Sequence, residues 1–245
     1  MSKKKIKAAA SEPDTVSTHK ITEKHQVRGV YVVGKNEGQK KAIDVIHEHE
    51  ISVLYGIPGS GKTHLALSIG LAGLLQGKYD RLILTRPYVE AGERMGFLPG
   101  DFSTKIAPFM QPLMEIMGGA IGKTALTAFL EAGNIEVLPL AFMRGRSFNN
   151  TFVVADECQN CTTQQMRMLL TRIGRESKIV ITGDTEQSDL YTRGEKNGLQ
   201  DCIDRFKGKL PEMGFFEMTE DCCVRSPIVT KIEKIYRQGK PTNHG

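Results

Sequence analysis

The octapeptide GIPGSGKT, Gly56 to Thr63, is composed of residues suited to holding an anion. Its spacing fits G-x-x-x-x-G-K-[ST], a pattern in which backbone N–H groups turn inward around phosphate oxygens. Glycine permits that turn because it tolerates unusual φ and ψ values and has no Cβ to obstruct the anion. Gly56, Ile57, Pro58, Gly59, Ser60, Gly61, Lys62, Thr63 and His64 are therefore the expected nucleotide cradle. Lys62 would reach the β- and γ-phosphates, and the Thr63 hydroxyl would ligate Mg²⁺.

Two further groups belong to the same chemistry. The run Phe152-Val153-Val154-Ala155 ends in Asp156-Glu157. Asp156 suits the Mg²⁺ shell beside Thr63, and Glu157 suits orienting and deprotonating a water that attacks the γ-phosphate. That pair points to hydrolysis, since a kinase would need a pocket for a hydroxyl substrate. A third run, Ile179 to Thr182, ends in Gly183-Asp184-Thr185-Glu186-Gln187. The Gln187 amide can bond both the γ-phosphate and the attacking water, and so sense whether the phosphate is present.

These groups act together only if the fold brings several strand ends to one rim. Strand-like runs occur at 52–55, 81–85, 135–138, 152–155 and 178–182. Helical patterns occupy 35–50, 64–75, 164–173 and 227–237. Apolar strands separated by helices predict a mainly parallel α/β sheet flanked by helices, with ligands at the strands' C-terminal ends. Residues 92–134 break the rhythm with glycines and prolines and read as an inserted helical or loop segment. There Met110, Met114 and Met117 are spaced as a packed helix face, the alternative being a partner-binding surface.

A chain of 245 residues with 40% hydrophobic and 25% charged content suits one α/β domain with tails. No run approaches the roughly 20 apolar residues of a membrane span, and the opening MSKKKIKAAASEPD lacks a signal peptide's apolar stretch. The five cysteines are odd in number and irregularly placed, which is no disulfide framework. Cys158 and Cys161 look like half a zinc site without a second half. A cytoplasmic protein with no membrane partner is the expectation. The net charge of +5 is concentrated at the ends, in Lys3, Lys4, Lys5 and Lys7 and from Arg225 onward. The body between them is acidic on balance, so nucleic-acid binding would have to rest on local patches.

Together, GIPGSGKT, VVADECQN and ITGDTEQ resemble the ATPase core of superfamily 1 helicases. LTRPYVEAGERMGFLPGD (Leu84 to Asp101) and AFMRGRSF (Ala141 to Phe148) narrow the resemblance to the PhoH-like ATPase family, over about residues 36–237. The resemblance implies a RecA-like core, ATP and Mg²⁺ as cofactors, and a link to RNA metabolism. It suggests Gln39 as an adenine-reading residue and Arg225 as the family's late arginine. Thr85 and Arg86 fall where the related helicase motif touches nucleic acid, and Arg144 and Arg146 are further candidates. Each arginine equally suits a surface salt bridge.

The expected layout is a polar basic tail or loosely attached arm at 1–30, a RecA-like ATPase domain at 31–238, and a C-terminal tail at 239–245. Only 58 residues follow Gln187, too few for a second RecA-like domain or, with the short arm, for a nuclease domain. Superfamily 1 cores carry the late arginine in that second domain, so a neighbouring subunit is expected to supply Arg225. A homo-oligomer, as a hexameric ring, follows; the alternative is that Arg225 caps Glu220 or Asp221 locally. The expected activity is ATP hydrolysis to ADP and phosphate, coupled to binding, remodelling or unwinding single-stranded nucleic acid, RNA favoured. The rivals are a nucleotide-gated assembly protein with slow, timer-like hydrolysis and a small-molecule kinase.

Overall fold

The computed structural model describes residues 18–87, 102–185 and 197–226, the backbone alone for 102–109, and the isolated positions 228, 229, 231, 232 and 235. Six strands, β1 (Ile51–Gly56), β2 (Arg81–Thr85), β3 (Ile135–Val137), β4 (Thr151–Ala155), β5 (Lys178–Gly183) and β6 (Met213–Met218), form one sheet. Its order is β3-β2-β4-β5-β1-β6, and every pairing is parallel. The central strands carry apolar runs, Leu82-Ile83-Leu84 in β2, Phe152-Val153-Val154-Ala155 in β4 and Ile179-Val180-Ile181 in β5, as suits strands covered on both faces.

Alternation along each strand divides the core in two. Leu54, Leu82, Leu84, Phe152, Val154 and Val180 face the layer containing α2 (Glu37–Glu48), α3 (Lys62–Leu75), α4 (Phe102–Ile121) and α5 (Lys123–Glu131). Val53, Tyr55, Ile83, Val153, Ala155, Ile179 and Ile181 face the layer of α6 (Thr163–Leu170) and α7 (Gly198–Phe206). Helix α3 is apolar nearly all round and carries nine buried residues, so it is a core helix as well as the helix that follows the glycine loop.

Two expectations about organisation meet the structure here. Within the supposed arm, Thr18–Lys24 forms α1, whose Ile21 is buried; Val27, Val30 and Val32 pack against the same core. Apolar residues spaced along that short segment therefore dock it, despite its polar composition. The 92–134 segment is helical over 102–121 and 123–131, and its Met110 and Met117 are buried with Met114 half-buried beside them. They form a packed face. Strand β6 and helix α7 had no expected counterparts. Gly214 and Glu217 interrupt the apolar run of β6, and its place at the sheet edge leaves Glu217 exposed. No single helix among the described residues is long and apolar enough to cross a membrane.

Lys178 begins β5, at the end of the sheet away from the glycine loop. Its buried ammonium donates to the carbonyls of Ile46, His47 and His49, which close α2. Burial pushes this ammonium down to about 8, so it still carries its charge and its three N–H donors at neutral pH. Lys178→Met would leave those helix-terminal carbonyls without a donor. It is expected to destabilise the fold by about 2–3 kcal/mol. Thermal unfolding should show a lowered Tm with unchanged nucleotide affinity, and an unaltered Tm would remove the lysine from this capping role.

Candidate nucleotide-binding site

Strand β1 delivers the chain to the glycine loop, and α3 begins immediately after it. Gly61 caps α3 at φ 92°, ψ 14°, a left-handed conformation that L side chains rarely adopt. A Cβ there would also lie 2.8 Å from the Gln39 side-chain nitrogen. Gly59, at φ 78°, lies under Arg225, and a Cβ on it would meet the arginine's Cδ and Nε at 2.3 Å. Ser60 is fully buried, with its hydroxyl donating to the Ile57 carbonyl at 2.9 Å.

Gln39 braces the loop from behind. Its Nε2 donates to the Ser60 carbonyl at 2.9 Å, while its Oε1 accepts from Lys35 N at 2.9 Å. The residue is itself fixed by Asn36, the N-cap of α2, whose Oδ1 accepts from Gln39 N at 2.8 Å. Gln39 is thus buried at the loop, and both ends of its amide are engaged by main chain. The expected adenine reader acts in this structure as a loop brace.

Lys62 turns its ammonium back over the loop and donates to the Gly56 and Ile57 carbonyls, each at 2.7 Å. Burial holds this ammonium below its ordinary pKa, against the opposing pull of Asp184, Glu157 and Asp156. Three carboxylates thus converge on one lysine, and a bound phosphate would add its charge to them.

Strand register explains the next group. Thr85 pairs with Ala155 and Ala155 with Ile181, so the residues just beyond, Arg86, Asp156 and Thr182, stand in one row. Counting by twos from Leu84, Val154 and Val180 puts that row on the α3 face, toward Thr63. Asp156, 1% exposed, accepts from the Thr63 hydroxyl at 2.6 Å and the Thr182 hydroxyl at 2.5 Å, both on Oδ1. Its Oδ2 accepts from Arg86 Nε at 2.8 Å and Nη2 at 2.5 Å.

Glu157 follows in the left-handed region, φ 56°, ψ 37°, which costs a non-glycine residue about 1 kcal/mol. That backbone turns its side chain off the strand's alternation and into the cleft. Gln159 Nε2 donates to its Oε2 at 2.6 Å, while Gln159 Oε1 accepts from Asp184 N at 3.1 Å. One buried amide therefore joins the ends of β4 and β5. The segment then enters α6 through a capping box between Thr162 and Gln165.

Pro58, Gly59, Gly61, Lys62, Thr63, His64, Asp156, Glu157, Gly183, Asp184 and Arg225 line one cleft of about 300 Å³. Ile116 of α4 completes it, which places the inserted helix beside the loop. Arg225 lines the cleft of its own chain, where the expectation was delivery from a neighbour: a single tight helical turn, Glu220–Cys222, follows β6 and leads the chain back over Gly59. Gln187 lies outside the described residues.

The supposed nucleic-acid residues fare differently from one another. Thr85 is fully buried in β2, while Arg86, its side chain 19% exposed, is paired with Asp156. Arg146 donates to Glu136 at 2.9 Å and sits over the Phe148 ring, which is the salt-bridge reading. Arg144 is exposed on the turn after β3. Sequence reasoning missed Gln159, Thr182 and Ile116. Gln159, two residues after Glu157, carried a signal in its proximity; Ile116 carried none.

The Thr63 hydroxyl and Asp156 carboxylate, already hydrogen-bonded, form an oxygen donor pair of the kind a hard divalent cation takes, so the residues fit Mg²⁺. A strand–glycine loop–helix unit with its lysine, facing a strand-end Asp-Glu pair on a parallel sheet, defines a P-loop NTPase core. The PhoH-like protein family model matches residues 31–237, and the chain belongs to that family. It is 41% identical over 216 residues to a PhoH-like protein of Synechocystis, covering 88% of this chain and 65% of that one. It is 35% identical over 207 residues to Protein PhoH of Escherichia coli K12, covering 84% and 58%. The chain thus spans about three-fifths of the length of the curated relatives it matches. Among solved structures, the UvsW helicase of bacteriophage T4 superposes with a TM-score of 0.42 and 13% identity, over 84% of this chain and 69% of that one.

Proposed function

We propose that this protein hydrolyses ATP to ADP and phosphate and couples turnover to binding or remodelling single-stranded nucleic acid, RNA being the favoured polymer. The observation that carries the reading is the convergence of Lys62, Thr63, Asp156 and Glu157 on one cleft. The loop's inward N–H groups and the α3 N-terminus hold the phosphates, and Lys62 exchanges its loop carbonyls for phosphate oxygens. Mg²⁺, held by Thr63 and Asp156, would supply charge neutralisation on the phosphates. Glu157, held by Gln159, accepts the proton of the attacking water. Arg225 then faces the charge that develops on the transferred group, and Gln187 is assigned the role of phosphate sensor.

The polymer part is supported by the rim beyond β3. Phe142, 55% exposed, and the exposed Arg144 share one short turn there, pairing an aromatic face with a cation. Turnover measured with no polymer, single-stranded RNA, single-stranded DNA and duplexes tests the coupling. Stimulation by single strands supports it; equal rates in all four point to a slow timer. Arg144→Ala should weaken single-strand binding and make the log–log salt slope shallower by about 0.7. An unchanged slope would take Arg144 out of the interface.

A homo-oligomeric, hexameric ring is part of the proposal, supported by the exposed Ile228, Ile232 and Ile235, spaced i, i+4, i+7 after Arg225. Sedimentation at micromolar concentration tests it, and a monomer sinks it. The cytoplasmic setting is proposed from the free state of all five cysteines.

A further inference from the structure

The carboxylate of Asp156 is saturated by protein donors. Oδ1 accepts two hydroxyls, and Oδ2 accepts two N–H groups of one guanidinium. A divalent cation held by Thr63 and Asp156 needs lone pairs of this same carboxylate, directly or through its bound water. The threonine hydroxyls are neutral and can rotate their protons. Arg86 is a permanent cation with donors only, so it is the partner that must yield.

We propose that Arg86 is an internal counter-ion that competes with the divalent cation for Asp156, and so sets the cation concentration at which the cleft loads. The proposal rests on the reading of the cleft as a nucleotide site. The Asp156 side chain is 2% exposed and that of Arg86 19%, so the arginine can swing toward solvent while the aspartate stays in place. A second carboxylate stands beside it: Arg86 Nη2 lies 3.8 Å from Glu157 Oε1, close enough to receive the guanidinium as it leaves Oδ2. A role confined to structural pairing would not require that second acceptor. Repulsion between the guanidinium and a doubly charged ion acts in the same direction as the competition for lone pairs. Arg86 is thus a positioning residue for the cation site, distinct from the residues that would touch the phosphates.

The test uses the full chain with a non-hydrolysable ATP analogue and Mn²⁺, following free Mn²⁺ by electron paramagnetic resonance. Arg86→Gln is expected to tighten the apparent Mn²⁺ dissociation constant about tenfold, having removed both competitor and repulsion. Arg86→Lys, which keeps the charge but loses the fork, should fall between this variant and wild type. Unchanged or weakened Mn²⁺ binding by a folded Arg86→Gln overturns the proposal. If Arg86→Gln does not fold, Arg86→Lys decides alone, tightening supporting the competition and wild-type affinity refuting it. A wild-type protein that takes up no Mn²⁺ with the analogue overturns the nucleotide-site reading itself, and the competition with it.

Discussion

Lys62→Ala is expected to abolish ATP turnover, while Glu157→Gln should keep nucleotide binding and lower hydrolysis about 10²–10⁴-fold. The two substitutions separate two functions of the cleft. Lys62 is part of the loop, and its ammonium makes only main-chain and hydroxyl contacts there, none of them an ion pair. Exchanging carbonyls for phosphate oxygens is therefore favourable, and no other residue of the loop carries a positive charge. Alanine removes that partner and leaves the phosphates without the loop's own positive charge.

Glu157→Gln instead preserves size and the contact with Gln159, because an amide oxygen can accept from Gln159 Nε2 as the carboxylate does. What it removes is the capacity to take a proton from water. Binding of a fluorescent ATP analogue and phosphate release, measured on the same preparations, check both halves. Hydrolysis at the wild-type rate by Glu157→Gln would show that another group is the base.

Arg225→Ala should lower turnover about 10³-fold, the lower end of what an arginine facing the γ-phosphate contributes. The direction follows from its position: it lines the cleft with Lys62 and Glu157 and packs on Gly59 of its own loop. Lys62 and Arg225 line the same cleft, so the two cations can act on one ligand. Because the contact is within one chain, mixing has a defined outcome. Arg225→Ala and Lys62→Ala subunits each lack part of their own site, and co-assembly of the two should restore no turnover. Partial recovery in a proven mixture would mean that a neighbour supplies the arginine after all, and that the packing on Gly59 is not the catalytic arrangement.

Much of the architecture was legible from local pattern. Val53 to Tyr55, Leu82 to Leu84 and Phe152 to Ala155 declare themselves as strands because burial on both faces favours apolar runs. GIPGSGKT declares itself because a tight anion-binding turn is solved within eight residues by glycines and one lysine. These features depend on neighbours in sequence, and a reading of the chain reaches them. Strand β6 escaped because an edge position tolerates Gly214 and Glu217, which blur the apolar signal.

The partners of Arg86, Thr182, Gln159 and Arg225 are another matter. Arg86 and Thr182 meet Asp156 only because β2, β4 and β5 pair in a register that aligns residues 70 and 26 positions apart. Gln39 meets Ser60 across 21 residues, and Ile116 reaches the cleft only through the packing of α4 on the sheet's helical layer. A shift of one residue in any of those strands would turn the same side chain to the opposite face of the sheet. Local composition therefore determines which groups are present, and an arginine after a strand reads alike whether it faces solvent or a buried carboxylate. The choice between those fates belongs to the register, which is settled by the burial of both apolar faces at once and by no single stretch of chain.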